Sequence, residues 1–190
     1  MPCISDPGSD LVRLARENFY DIEVIPGPTA FVTGLALSGV DSRRFIFEGF
    51  IDNNKKERLD FIKRIKFEER LVIIYEAPHR LLKTLEFLFD NLGNRDLYLI
   101  RELTKIHEEL FFGSISQAIE LLKNKEPKGE YVILLCGADN NLDFNNLSIE
   151  EHLRFYLDNN YDLKVAIKNV ARDRNIDKNQ VYLVAHKLNK

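Results

Sequence analysis

The sequence predicts an α/β fold in three parts. These are the remnant of a parallel α/β domain over 1–40, a second α/β domain over 41–138, and a small C-terminal helical domain, helix-turn-helix-like, over 148–190. Three observations carry this. Continuous apolar runs such as Leu71-Val72-Ile73-Ile74-Tyr75 and Tyr131-Val132-Ile133-Leu134-Leu135 read as strands covered on both faces. They alternate with helical stripes, of which Leu81, Leu82, Leu85, Leu88, Phe89 and Leu92 is the longest. Beyond the polar run Asn140–Asn146, which reads as a linker, only helical spacing remains.

In order along the chain, Ser9 is placed to cap a first helix carrying Leu11, Val12, Leu14, Ala15 and Phe19. Ile22–Ile25 reads as a short strand, stopped by Pro26-Gly27-Pro28, and a small-residue helix runs from Thr29 to about Ser38. A helix feeding a parallel strand needs a strand before it, and only eight loop-like residues precede this one. Phe45–Ile51 is a strand, and Asn53–Phe67 a basic amphipathic helix with Leu59, Ile62 and Ile65 inward. Leu71–Tyr75 is followed by a helix over His79–Leu92 that Gly93 closes. Strands at Leu97–Ile100 and Glu109–Phe112, a Ser114-capped helix to Lys123 and the strand Tyr131–Leu135 complete the domain: five strands, three helices. Strands Leu71–Tyr75 and Leu97–Ile100 are expected to be neighbours. Three helices follow, at Ser148–Asp158, Asp162–Arg174 and Asp177–Leu188, the last two separated by the turn Asn175-Ile176.

The composition, 45% hydrophobic and 30% charged, excludes full-length disorder, and no apolar run approaches the length of a membrane span. Cys3 and Cys136 have no CxxC spacing, which argues against a disulfide scaffold or a cysteine zinc site and for a reducing compartment. The net charge of −3 gives no global attraction to nucleic acid, but Tyr161–Lys190 holds seven bases against three acids. That basic tail suits a nucleic-acid contact or an ordinary solvated face.

Chemistry concentrates at strand ends, where α/β proteins hold ligands. The loops are Pro2–Gly8, Pro26–Ala30, Glu76-Ala77-Pro78-His79-Arg80 and Arg101-Glu102-Leu103-Thr104-Lys105. Gly27 and the small residues after it admit a ligand to the backbone, although a tight turn alone explains Pro-Gly-Pro. Glu76, His79 and Arg80 offer a carboxylate, an imidazole and a guanidinium; local capping and ion pairing would use the same groups. Walker, HExxH, GxSxG and dinucleotide-glycine signatures are absent, and the four histidines lack metal-ligand spacing.

Five segments stand in a familiar order: Ile4-Ser5-Asp6-Pro7-Gly8, Val24-Ile25-Pro26-Gly27-Pro28-Thr29-Ala30, Phe45-Ile46-Phe47-Glu48-Gly49-Phe50, Tyr75-Glu76-Ala77-Pro78-His79-Arg80 and Arg101-Glu102-Leu103-Thr104-Lys105. Over nearly its whole length the chain resembles the small-subunit ribosomal RNA methyltransferase I family, in the tetrapyrrole-methylase superfamily. The resemblance implies a mixed-sheet second domain of the tetrapyrrole methylase type. It also implies a cytoplasmic, homodimeric enzyme that uses S-adenosyl-L-methionine, without metal or membrane, to methylate the ribose 2′-oxygen of a cytidine in 16S rRNA of the small ribosomal subunit. By the same analogy Ile4, Thr29, Ala30, Glu76 and Leu103 are cofactor-binding. Catalytic candidates are Glu76, His79, Glu102 and Lys105, and RNA-contact candidates are Lys164, Lys168, Arg172, Arg174 and Lys178, all expected to be solvent-exposed.

The family's Gly-Thr-Pro-Gly-Ile is replaced here by Met1-Pro2-Cys3-Ile4. Its opening Pro-Ile-Gly-Asn-Leu-like loop and Glu-Asp-Thr-Arg-like motif are absent from the sequence. The expectation is a chain lacking most of an N-terminal domain, with Met1 a start inside a longer ancestor. Such a chain would expose Leu11, Leu14, Phe19, Val24 and Phe31 and bind S-adenosylmethionine weakly or not at all, with no methyl transfer. A non-catalytic RNA-binding or dimerisation remnant and a tetrapyrrole methylase are the rival readings.

Overall fold

The apolar runs become the centre of a five-stranded sheet in the computed structural model, which describes residues 1–123, 125, 127–138, 147–158 and 161–188, with side chains through 186. The strands are β1 (Phe45–Phe50), β2 (Leu71–Glu76), β3 (Asp96–Arg101), β4 (Glu109–Ser114) and β5 (Tyr131–Leu135). Their order is β1-β2-β5-β3-β4. β1 and β2 are parallel; β5 runs antiparallel to β2 and β3, and β4 antiparallel to β3. β2 and β3 are therefore parallel but not neighbours, because β5 lies between them. Every residue of β5 is buried, so that strand needs cover on both faces and a partner on both edges, and only a central place supplies these.

Five helices accompany the sheet: α1 (Ser9–Glu17), α2 (Ala30–Ser38), α3 (Lys55–Ile65), α4 (Pro78–Leu92) and α5 (Ile115–Lys123). Side chains alternate across each strand. Val72, Ile74, Leu97, Leu99, Ile133 and Leu135 join one apolar cluster with Ile62, Ile65, Leu81, Leu85, Leu88, Ile115 and Ala118 of α3, α4 and α5. Leu71, Ile73, Ile100, Val132 and Leu134 face the other way, to Leu35 and Phe31 of α2. α2 comes close because Gly34 leaves room: a Cβ there would stand 3.1 Å from Ile100 Cδ1.

Several local expectations change. Ile22–Ile25 forms no strand, and Val24 and Ile25 are 75% and 85% exposed, since the segment pairs with no described strand. Gly8, at φ 128°, takes the N-cap of α1 in place of Ser9 and makes no side-chain cap bond. In α3 the inward arc is Phe61, Ile62 and Ile65, with Arg58 at its middle and its guanidinium 4.0 Å above the Phe87 ring; Leu59 lies outside that arc and is exposed. Phe89 is likewise partly exposed, and Thr84 takes the fourth buried place on α4. Leu11, Leu14 and Phe19 are exposed, but Phe31 is stacked on Phe47 with ring centroids 4.5 Å apart.

The chain divides into two compact units, Met1–Ala138 and Asp139–Lys190. The linker read at Asn140–Asn146 lies outside the described residues. The second unit holds α6 (Ile149–Asp158), α7 (Leu163–Asp173) and α8 (Lys178–Leu188) around Leu153, Tyr156, Ile167, Val170 and Val181. Its ends follow from local chemistry. Ser148 and Glu151 form a capping box, each side chain accepting the other's backbone N–H at 3.1 and 2.7 Å. Asn175, at φ 51°, ends α7, with N–H bonds from Asn175 to Arg172 O and from Ile176 to Ala171 O, a Schellman closure. Among the described residues no helix is long and apolar enough to cross a membrane.

His152 is fully buried in this unit. Its Nδ1 accepts from Arg174 Nε at 3.0 Å, so its proton sits on Nε2, 3.5 Å from Asp173 Oδ2. Burial, and then the Arg174 charge, hold the imidazole down to about 4. The unfolded chain takes up this proton below the usual value of 6.5 and the native chain does not. The associated stability is present above pH 6.5 and is lost as pH falls towards 4, to the extent of about 1–3 kcal/mol. Thermal unfolding at pH 7 and pH 4.5 should show this loss, and the His152 ring protons should titrate near pH 4 by NMR.

Candidate active site

The strand pairing brings the singled-out loops to one end of the sheet. Phe50 pairs with Tyr75, and both Glu76 and Arg101 pair with Tyr131, so β1, β2 and β3 finish where β5 begins. A cleft of about 500 Å³ opens there. One wall is the loop Ile4-Ser5-Asp6, a second is Thr29 and Ala30 at the start of α2, and a third is Tyr75-Glu76-Ala77-Pro78. Phe50 and the segment Glu130-Tyr131-Val132 close the remainder. A hollow of about 590 Å³ beside α1 is larger, but Cys3, Ser9, Val12, Arg13, Arg16 and Glu17 line it, and of the singled-out loops only the first reaches it, through Cys3.

Four of the five expected cofactor residues, Ile4, Thr29, Ala30 and Glu76, therefore share one cleft. Leu103 does not line it. It packs in the α2-side cluster, 3.9 Å from where a Gly34 Cβ would stand, while the start of β5 occupies the place between Glu76 and the β3 end.

The catalytic candidates do not converge. Glu76 borders the cleft, yet its carboxylate is enclosed and engaged. Oε1 accepts the Ala77 N–H at 2.9 Å and stands 3.2 Å from Arg80 Nε, and Oε2 accepts from the Thr84 hydroxyl at 2.6 Å. Arg80 also donates to Ile51 O at 2.6 Å. Glu76 is thus a brace between β2, α4 and the segment after β1, and its side chain is fully buried. His79 is exposed on the first turn of α4 and, like Glu102 and Lys105, is not among the cleft-lining residues. Lys105 Nζ donates to Glu102 Oε1 and Glu130 Oε2, both at 3.0 Å. This pairing holds the Glu102 carboxyl below its ordinary value and the Lys105 ammonium above its own, so both stay charged. Their loop is a strut: Glu102 Oε1 also accepts the Glu130 N–H at 2.9 Å, fixing one wall of the cleft.

Of the RNA-contact candidates, Lys164, Lys168 and Lys178 are exposed, and Arg172 is exposed while 3.0 Å from Asp173 Oδ1. Arg174 is not a surface cation. It is half-buried just past the end of α7 and donates to His152 and to the carbonyls of Leu147 and Ser148, tying it to the start of α6. Among the described residues no group of three or more His, Cys, Asp or Glu side chains is gathered as a metal site.

Sequence reasoning missed Tyr75, Glu130, Tyr131 and the seat of the first loop. That seat is Gly49, at φ 66°, beside a register shift in β1. A Cβ there would lie 2.7 Å from Ser5 Oγ, so the left-handed backbone and the close approach of the Ser5 loop together favour glycine. A glycine inside Phe47-Glu48-Gly49-Phe50 was the available signal, since an interior strand glycine marks a bulge or a close approach.

A mixed sheet covered on both faces, with glycine- and proline-containing loops gathered at one end over a cleft, makes an α/β domain with a candidate ligand site. The chain belongs to the tetrapyrrole (corrin/porphyrin) methylases, whose family model matches residues 1–119. It is 35% identical over 192 residues to ribosomal RNA small subunit methyltransferase I of Bacillus subtilis (strain 168), an alignment covering 98% of this chain and 66% of that protein. It is 39% identical over 139 residues to the protein of the same name in Thermotoga maritima, covering 73% of this chain and 62% of the relative. The chain thus spans slightly less than two thirds of the length of these two relatives. The crystal structure of the methyltransferase CobJ superposes with a TM-score of 0.56 at 19% identity, over 72% of this chain and 61% of that one, which shows the shared fold.

Replacing Gly49 by Ala tests the seat. The variant should lose about 1–3 kcal/mol of stability from the left-handed backbone and the Ser5 clash. Amide exchange at Ser5 and Asp6 should accelerate ahead of the sheet; unchanged protection in that loop would contradict the contact.

Proposed function

We propose that the cleft binds S-adenosylmethionine and that the chain belongs to an enzyme methylating the ribose 2′-oxygen of a cytidine in 16S rRNA. The observation that carries this reading is the meeting of Ile4, Thr29, Ala30 and Glu76 around one cavity, because they come from three loops far apart in sequence. The lining also suits the group. Among the described residues, the ionisable side chains that line it besides the tyrosines are Asp6, Glu76 and Glu130, and Phe50, Tyr75 and Tyr131 add aromatic surface. The rings suit an adenine face and a cationic sulfonium, while two of the carboxyls, Glu76 and Glu130, are already paired with Arg80 and Lys105.

S-adenosylmethionine supplies a methyl group activated by its positive sulfur. The chain's residues supply position. Thr29 and Ala30 offer small side chains and backbone at the start of α2, and the Ser5–Asp6 loop covers one side of the cavity. Tyr131 and Val132 give it an apolar floor. Holding a hydroxyl in line with a methyl donor accounts for much of the acceleration such a transfer needs. No general base is assigned, since Glu76, Glu102 and Lys105 are engaged in ion pairs or hydrogen bonds.

In the helical unit, Lys164, Lys168 and Lys178 are exposed, which supports a phosphate contact. The exposed Leu11, Leu14 and Phe19 support a homodimer, because apolar surface of this kind is normally covered.

Isothermal titration of the chain with S-adenosylmethionine should give one site with Kd between about 10 μM and 1 mM, and Ala30→Phe should abolish it by filling the cleft. A wild-type chain giving no heat, or an Ala30→Phe chain binding equally well, would refute the assignment. For the tail, replacing Lys164 and Lys168 together by Glu should lower 30S-subunit affinity and flatten its salt dependence by about two counterions. Unchanged affinity at low salt would remove the RNA role.

A further inference from the structure

Tyr75 stands at the end of β2 between two partners that the sequence keeps far apart. Its ring faces the α2 side of the sheet, edge-on to Phe47 and Phe50 with centroids 5.2 and 5.6 Å away. Phe31, in the first turn of α2, stacks on the same Phe47. The Phe31 N–H then donates to the Tyr75 hydroxyl at 3.0 Å. The first amides of a helix have no partner within it, so this bond takes one that would otherwise need water or a cap. Thr29, at the N-cap, makes no side-chain cap bond, which leaves the tyrosine as the group that fastens this end of α2 to the sheet.

The fastening bears on the cleft. Thr29 and Ala30 immediately precede Phe31 and form one wall, while Tyr75 itself borders the cavity beside Ala77. The distance between these walls is therefore set through one hydroxyl and one amide, backed by three phenylalanine rings. We propose that Tyr75 is a positioning residue that fixes the Thr29–Ala30 wall against the β2 end, and so sets the width of the cleft for its ligand. This rests on the assignment of the cleft to S-adenosylmethionine. Burial pushes the hydroxyl up from its ordinary value, so it remains a neutral phenol at physiological pH, still holding a proton it can donate while it accepts from Phe31.

The test compares the wild-type chain with Tyr75→Phe, which keeps the ring and removes only the oxygen. Tyr98→Phe is the control, since Tyr98 joins the same apolar cluster but stacks on Phe112 and does not border the cleft. Residue-resolved amide exchange and S-adenosylmethionine titration are read together. Tyr75→Phe should speed Phe31 exchange about tenfold and weaken S-adenosylmethionine binding about fivefold to tenfold, with the central strands still protected. Tyr98→Phe should change neither. Unchanged Phe31 exchange in Tyr75→Phe overturns the anchor. Faster exchange with unchanged affinity overturns its role in the cleft. Faster exchange across the whole sheet reduces Tyr75 to a packing residue and overturns the proposal. A wild-type chain that does not bind S-adenosylmethionine overturns the cofactor assignment and with it the role in the cleft, and Phe31 exchange then decides the anchor by itself.

Discussion

Burial of β2 and β5 on both faces is the constraint from which the remaining architecture follows. A strand sends successive side chains to opposite sides, so Leu71, Ile73 and Tyr75 must meet α2, and Val72, Ile74 and Glu76 must meet the layer of α3, α4 and α5. At the strand end the last two residues are polar, and each finds a partner in its own layer. The Tyr75 hydroxyl accepts from the first turn of α2, and the Glu76 carboxylate accepts from Thr84 of α4. A buried carboxylate is tolerated only when its oxygens are satisfied, and here Ala77, Arg80 and Thr84 satisfy them. One strand end thus ties two helical layers together and leaves the cleft between its own loop and α2.

Electrostatics divide along the same lines. The cleft is bordered by acids and aromatic rings, while the neighbouring cations are spent on struts: Arg80 on Glu76 and Ile51, and Lys105 on Glu102 and Glu130. The struts hold loops whose backbones are unusual, since Glu102 and Thr104 both have left-handed φ values, 48° and 66°. Residues held in such conformations cluster at ligand sites, where surrounding contacts determine the backbone. In the helical unit the corresponding brace is Arg174, which serves His152 and two carbonyls instead of solvent.

Much of this was legible in the sequence, and the failures have physical causes. Strands β2 and β5 were readable because two-sided burial leaves no polar residue in the run. Their order was not, because pairing is a long-range choice and β5 enters between strands that precede it. Ile22–Ile25 has strand-forming residues but pairs with no described strand, so local propensity misled. Glu76 attracted attention as a carboxylate at a strand end; period-two alternation would have assigned the α2 face to Tyr75. In α3, Leu59 was chosen for its hydrophobicity, whereas the helical arc through Phe61, Ile62 and Ile65 passes through Arg58. The resemblance to small-subunit ribosomal RNA methyltransferase I drew out loops that composition alone left as turns, and the geometry gathers four of its five cofactor residues.

The central claim is that the start of α2, the end of β2 and the first loop form one cofactor cleft. Backbone amide shifts of the isotope-labelled chain, followed as S-adenosylmethionine is added, test it most directly. The account predicts shifts confined to Ser5, Asp6, Thr29, Ala30, Ala77 and the Glu130–Val132 segment, with saturation at a single site. Shifts centred on the hollow beside α1 or on α7, or no shifts at all, would contradict it.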